Sequence, residues 1–173
     1  MHEAEQLFLD QSRQLLLQDY LPKVEHCVSM LGDDALWWRP NENTNAVGNL
    51  LLHLTGNVRQ WILHGVGGAS CTRHRASEFN ATGGADAQAL LHGLRSTCAQ
   101  AGAVLSEVDA ASLTERRVIQ GVEVSVLGAI YHALEHFSGH LGQILYITKL
   151  RTGKDLRFWV IGEEGAIERG WRS

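Results

Sequence analysis

Histidines 132, 136 and 140 recur at steps of four within residues 131–144, and no other feature of the chain limits its folding as tightly. Each such step turns an α-helix by about 400°, so the three rings fall along one stripe. Ile130, Leu134, Phe137, Leu141, Ile144 and Leu145 fill in around them. The spacing predicts a buried or half-buried helix whose inner stripe carries imidazole in place of methyl groups. Burying several polar rings costs free energy unless each finds a partner, and a metal ion can partner several at once.

The rest of the composition narrows the classes of function. The chain has 173 residues, room for one domain with a proper core spanning 1–173. Hydrophobic residues make up 45% and charged residues 20%, as in an ordinary globular protein. The net charge is -4 and no stretch gathers basic residues, so nucleic acid is not expected as a partner. No apolar run approaches the roughly 20 residues that span a bilayer, and the N-terminus lacks the basic-then-apolar order of a signal peptide. Cys27, Cys71 and Cys98 are odd in number and far apart. That argues against a disulfide framework and for a reducing cytoplasm, with Cys27 and Cys98 as small core residues.

Four amphipathic segments follow from the periodicity. Residues 3–31 place Leu17, Leu21, Val24, Val28 and Leu31 on one helical face. Pro22 is expected to kink or divide that helix, and Gly32 to end it. Trp37 and Trp38 read as a lid over the core. Asn43, Thr44 and Asn45 offer N-cap side chains for a second helix over about 46–64. Its polar face carries Asn49, His53, Asn57 and Gln60, a solvated face or the lining of a polar interior. Gly48 and Gly56 allow neighbouring backbone to approach. Residues 66–85, rich in Gly, Ser, Thr, Ala and Arg, read as a mobile surface loop. A third helix is expected over about 86–107, then a short hairpin or extended connection through 117–124. The histidine helix runs over about 125–151, closed by Gly153, and Phe158, Trp159 and Trp171 are expected to pack back on the bundle. Four long amphipathic segments with hardly any strand predict an all-α four-helix bundle, with simple up-down order not assured.

Metal binding needs neutral imidazoles that converge to about 2.0–2.1 Å from the ion. Residues eight apart lie roughly 12 Å apart along a helix, so His132 and His140 do not share one ion. Spacing therefore selects His136 with one neighbour and a third ligand from a facing helix, His53 being the best candidate. His132 reads either as that neighbour or as a residue that orients a ligand. The scattered His2, His26, His64, His74 and His92 read as structural or solvent-exposed. The bland alternative is a satisfied polar seam without metal.

Two motifs together carry a resemblance. Residues 49–57, Asn49-Leu50-Leu51-Leu52-His53-Leu54-Thr55-Gly56-Asn57, taken with His136-xxx-His140-Leu141-Gly142-Gln143-Ile144, resemble the DinB-like (DinB/YfiT) superfamily of four-helix-bundle metalloproteins. Leu21-Pro22-Lys23 and Trp37-Trp38-Arg39-Pro40 are similar to one of its uncharacterised bacterial branches. The resemblance implies a divalent metal held by one side chain of the second helix and two of the fourth, which by motif are His53, His136 and His140. It also implies a homodimer and, from some relatives, transferase or isomerase chemistry with a low-molecular-weight bacterial thiol.

Three histidines and an open fourth position describe a catalytic type of site. All-nitrogen ligation suits zinc, nickel or iron(II). Hydrolysis would want a carboxylate facing the metal, and Glu135 lies about 100° off the stripe. That favours a thiol, whose pKa the metal itself lowers. Asn49, Asn57, Gln60 and Gln143 are candidates for cofactor or substrate contacts, or for packing. The expected function is a metal-dependent, thiol-dependent transferase acting on a small molecule. The alternatives are a metal-dependent hydrolase and a non-catalytic metal-binding bundle.

Overall fold

The structure, a computed structural model, describes residues 3–162 and the backbone of 167–168. Its first helical arm is α1 (Glu3–Gln14), a π-helical stretch at Leu15–Tyr20 and α2 (Leu21–Leu31). The backbone stays helical through both junctions, with Gln14 and Leu21 in right-handed helical conformation. Pro22 thus does not divide the arm. A proline ring clashes with the carbonyl four residues back, and here the turns just before it are widened, with the Leu21 N–H reaching back to the Leu16 carbonyl. Gly32, at φ 69°, ends the arm and passes to the one-turn α3 (Asp33–Leu36).

The second arm is α4 (Val47–Val58), extended by a π-helical stretch at Arg59–Val66. Its N-cap is Ala46, and the expected caps Asn43, Thr44 and Asn45 do not serve. The free Ala46 N–H donates instead to Asn49 Oδ1 at 3.0 Å, one turn into the helix. After it, α5 (Arg75–Asn80) is a helix inside the segment expected to be loop. The third arm is α6 (Ala87–Glu107), capped by Asp86 accepting from the Ala89 N–H. A 3-10 turn at Ala110–Thr114 leads to a hairpin, β1 (Arg116–Ile119) and β2 (Val122–Ser125). Gln120 and Gly121, both at positive φ, make the two-residue turn that hairpins of this length favour. The fourth arm, α7 (Val126–Thr152), starts at the Ser125 cap and ends on left-handed Gly153. The short pair β3 (Val160–Ile161) and β4 (Ile167–Glu168) closes the described chain.

The fold is an all-α bundle in which α4 packs against α6 and α7, while the first arm packs against the same two from the opposite corner. The chain therefore crosses the bundle diagonally from its first arm to its second, and again from its third to its fourth. The core between them holds Leu50, Leu51, Leu54, Ile62, Leu94, Ile130, Phe137 and Ile144, all buried. Cys27 and Cys98 lie within it, and burial pushes their thiols up to about 11 and about 12. Inert thiols of this kind act as small hydrophobes.

Trp37 does cover the core. Its Nε1–H donates to the Ala85 carbonyl at 3.0 Å, and a Cβ on Gly48 would come within 2.8 Å of its ring. The close approach that Gly48 permits is thus by a side chain and not by backbone. Phe158 packs back, buried, with its ring 5.5 Å from that of His26. Trp159 is 54% exposed, with the Lys23 ammonium 5.7 Å from its ring centroid. Trp171 lies outside the described residues. None of the described helices is long and apolar enough to cross a membrane.

Candidate metal centre

α4 and α7 meet where His53 faces His136 and His140. One nitrogen from each of the three rings lies within 4.8 Å of the other two. The His53 and His136 Nε2 atoms are 2.8 Å apart, and the His53 ring centroid is 4.9 Å from both of its partners. Ligands at 2.0–2.1 Å from one tetrahedral ion stand about 3.3 Å from each other, so the set fits a single ion with small adjustments. His53 is 2% exposed, whereas His136 and His140 are half-buried, so the centre is closed on the α4 side and open on the α7 side.

Behind His53 stands a pair that the sequence reading did not anticipate. Glu78, from α5, takes the His53 Nδ1–H on its Oε2 at 2.8 Å. That bond leaves Nε2 with a lone pair aimed at His136 and His140, the arrangement metal-ligating imidazoles require. Arg73 grips the same carboxylate with Nε to Oε1 at 2.7 Å and Nη2 to Oε2 at 2.8 Å. Both side chains are nearly out of water, at 6% exposure for Arg73 and 10% for Glu78. Burial works to raise the Glu78 carboxyl, but the hydrogen bonds from Arg73 and His53 outweigh it and hold the group below its ordinary value. The carboxylate is therefore charged, and it orients the His53 ring rather than serving as a free base.

The segment is held down by its own backbone. The last carbonyls of a helix have no partner within it, and at the end of α5 they are taken by side chains from elsewhere. Asn49 Nδ2 donates to the carbonyls of Glu78 at 2.9 Å and Ala81 at 2.8 Å. Arg39 Nη2 donates to the Ala81 carbonyl at 2.8 Å and to Asn49 Oδ1 at 2.9 Å. The end of α5 is thus tied to α4 and to Arg39, where a surface loop was expected. The amide Asn49 works in this fastening, and Gln60 accepts from Arg73 Nη1 at 2.9 Å and also from Gln120. Gln143 Oε1 lies 3.2 Å from His140 Nδ1. Accepting there places the proton on Nδ1 and frees Nε2. Asn57 is buried one turn beyond His53, and its Oδ1 has no partner among the described residues.

His132 stays outside the cluster. Its ring stacks 5.5 Å from that of His136 and 3.9 Å from Trp61, so it walls the centre. Gly56 has a sharper role than its expected one. A Cβ there would fall onto Glu78 Oε1 and within 2.8 Å of Arg73 Nε. Gly56→Ala is therefore expected to push the ion pair off His53 and to cost about 1–3 kcal/mol of stability. Chemical denaturation beside a metal titration checks this, and an alanine variant unchanged in both would show that the pair re-seats freely.

Burial, then the charges of neighbouring rings, pushes His136 down to about 3, and His53, His132 and His140 are lowered too, by burial first. The folded, metal-free chain thus refuses protons that the unfolded chain accepts below about pH 6.5. The sign follows: stability is full above that value and is lost as pH falls toward about 3. Urea midpoints of the metal-stripped protein are expected to drop between pH 7 and pH 5. Equal midpoints would mean that these rings are not held neutral.

An all-α bundle of this topology is the fold of the DinB-like proteins. A DinB-like protein of Bacillus subtilis, YjoA, is similar over 84% of this chain and 93% of its own, at 18% identity and a TM-score of 0.62. A DinB-like protein from Bacillus cereus matches over 82% and 93% at 19% identity and TM-score 0.60. A conserved protein from Enterococcus faecalis matches over 89% and 98% at 15% identity and TM-score 0.62. Within that fold the chain belongs to the family DUF1572, proteins of unknown function, whose profile matches residues 3–164. No curated protein matches the sequence.

Proposed function

We propose that this protein is a metal-dependent enzyme in which His53, His136 and His140 hold one divalent ion, zinc, nickel or iron(II), and that it is a thiol-dependent transferase. The observation that carries the reading is the braced cluster itself: three imidazole nitrogens within 4.8 Å, with Glu78 on the far nitrogen of the buried one. A bundle needing only a polar seam has no use for a buried carboxylate that sets the tautomer of one ring. An ion held there leaves a coordination position toward the open α7 side and lowers the pKa of a thiol bound to it. Gln143 orients His140, and His132 with Trp61 shields one flank.

Metal-dependent hydrolysis is the weaker alternative, because Glu78 is engaged by Arg73 and His53 while Glu135 is exposed off the stripe. A non-catalytic metal site is supported less by a centre with two half-buried ligands. The proposal includes a homodimer, supported by exposed Tyr131, Tyr146 and Leu150 on α7.

Elemental analysis of protein purified without a histidine tag or added metal is the first test, with about one ion per chain expected. The cobalt-loaded chain, titrated with a small thiol, is then expected to gain a thiolate-to-cobalt charge-transfer band. No ion after reconstitution with zinc, nickel and iron would sink the metal reading. An ion without a thiol band would leave the non-catalytic reading in its place.

A further inference from the structure

The charges around the centre do not balance. Three neutral imidazoles offset none of a divalent ion's charge, and Glu78, the carboxylate that the described residues bring to the site, is matched by Arg73. Close by stands a second arginine with a different setting. Arg75, the first residue of α5, is exposed and lays its guanidinium over the Phe79 ring, 5.0 Å from the centroid. Phe79 in turn packs on His53 with ring centroids 4.5 Å apart. One aromatic ring therefore separates this cation from a ligand of the ion. No carboxylate among the described residues lies within ion-pairing distance of it.

Its position is built, not incidental. The end of α5 is fastened by Asn49 and Arg39, and the start of the same helix carries Arg75. Stacking on Phe79 leaves the edge of the guanidinium, where its N–H donors lie, unobstructed by the ring. A fixed, unmatched guanidinium beside a cationic centre selects for negative charge.

Resting on the metal-site reading above, we infer that the substrate or thiol taken by this centre carries a carboxylate, held by Arg75 over Phe79 while its sulfur reaches the ion. A carboxylate fits better than a phosphate dianion because, among the described residues beside the centre, Arg75 alone is a cation without an ion-pair or hydrogen-bond partner, while Arg73 is buried and engaged. The planar fork of arginine matches a carboxylate with two parallel hydrogen bonds. Arg75 is a binding and specificity residue under this inference, with no part in holding the metal.

The test uses the full cobalt-loaded chain and two probe series, ω-mercapto carboxylates of three to six carbons and the ω-mercapto alcohols of equal length. Affinity is read from the charge-transfer band. The wild type is expected to prefer the best carboxylate over its alcohol by about tenfold or more, the range of a charge-assisted hydrogen bond. Arg75→Gln is expected to bring the two within about twofold, with metal content and alcohol affinity unchanged, and Arg75→Lys to restore part of the preference. Full metal content with a preference that survives Arg75→Gln would overturn the inference and leave the thiol reading standing. No metal, or no band with any thiol, would sink that reading and this inference with it.

Discussion

His53→Ala is expected to abolish metal binding at micromolar concentration while leaving a folded bundle. His53 is the only member of the cluster on α4; His136 and His140 share α7. Four-ligand zinc sites carry apparent binding energies of about 10–16 kcal/mol, so one ligand is worth roughly 3 kcal/mol or more. That is a loss of at least about two orders of magnitude in Kd. The ring also fills space between Phe79, His136 and His140. Its removal leaves a cavity costing about 2–5 kcal/mol by analogy with other large-to-small changes at buried sites. His132→Ala is the matched control, since His132 walls the centre without joining it, and its variant is expected to retain close to the full metal content. Elemental analysis and circular dichroism on both variants decide the matter. Metal retained by His53→Ala, or lost equally from His132→Ala, would assign the ligands differently.

The helical arms and the histidine stripe of α7 were legible because both are periodic, whereas the choice of His140 over His132 came from the family resemblance. Apolar residues at three- and four-residue steps mark each arm, and His136 with His140 keeps the same step. The π-helical widening before Pro22 was not, because apolar spacing does not encode which carbonyl an N–H reaches. Only the proline signalled trouble there. The amide Asn49 was noticed as polar on an apolar helix, yet its work is to cap α4 and to hold the end of α5 some 30 residues on, which is a tertiary relation.

Glu78 and Arg73 escaped notice for a related reason. Both lie in a segment whose composition is that of a loop, and α5 has only six residues, too short to show a period. A chemical signal was present nonetheless. A buried ligating imidazole almost always needs an acceptor on its second nitrogen, and no acidic residue stands on the α4 stripe to supply one. An acidic acceptor could come only from elsewhere in the chain, and Gly56, one turn from His53, marks the space that Glu78 enters.

Removing that carboxylate tests the brace directly. Glu78→Ala is expected to lower stability by about 3–5 kcal/mol, because it leaves Arg73 buried without its counter-charge. Arg73 would retain Gln60 Oε1 at 2.9 Å, the His53 carbonyl at 3.4 Å and the approach of its Nη2 to His53 Nδ1 at 3.1 Å, none of them a counter-charge. Metal affinity is expected to fall 10- to 100-fold, since His53 loses the acceptor that fixes its tautomer. Glu78→Gln keeps an acceptor for the His53 Nδ1–H and should fall between wild type and alanine in both respects. The two effects separate in the double variant Arg73→Leu with Glu78→Leu. Replacing both members of a buried ion pair by apolar side chains is often nearly neutral for stability, but it cannot restore an acceptor to His53. Stability recovered with affinity still reduced is the expected result. Affinity recovered along with stability would mean that the pair only fills space, and that the histidines orient themselves by packing.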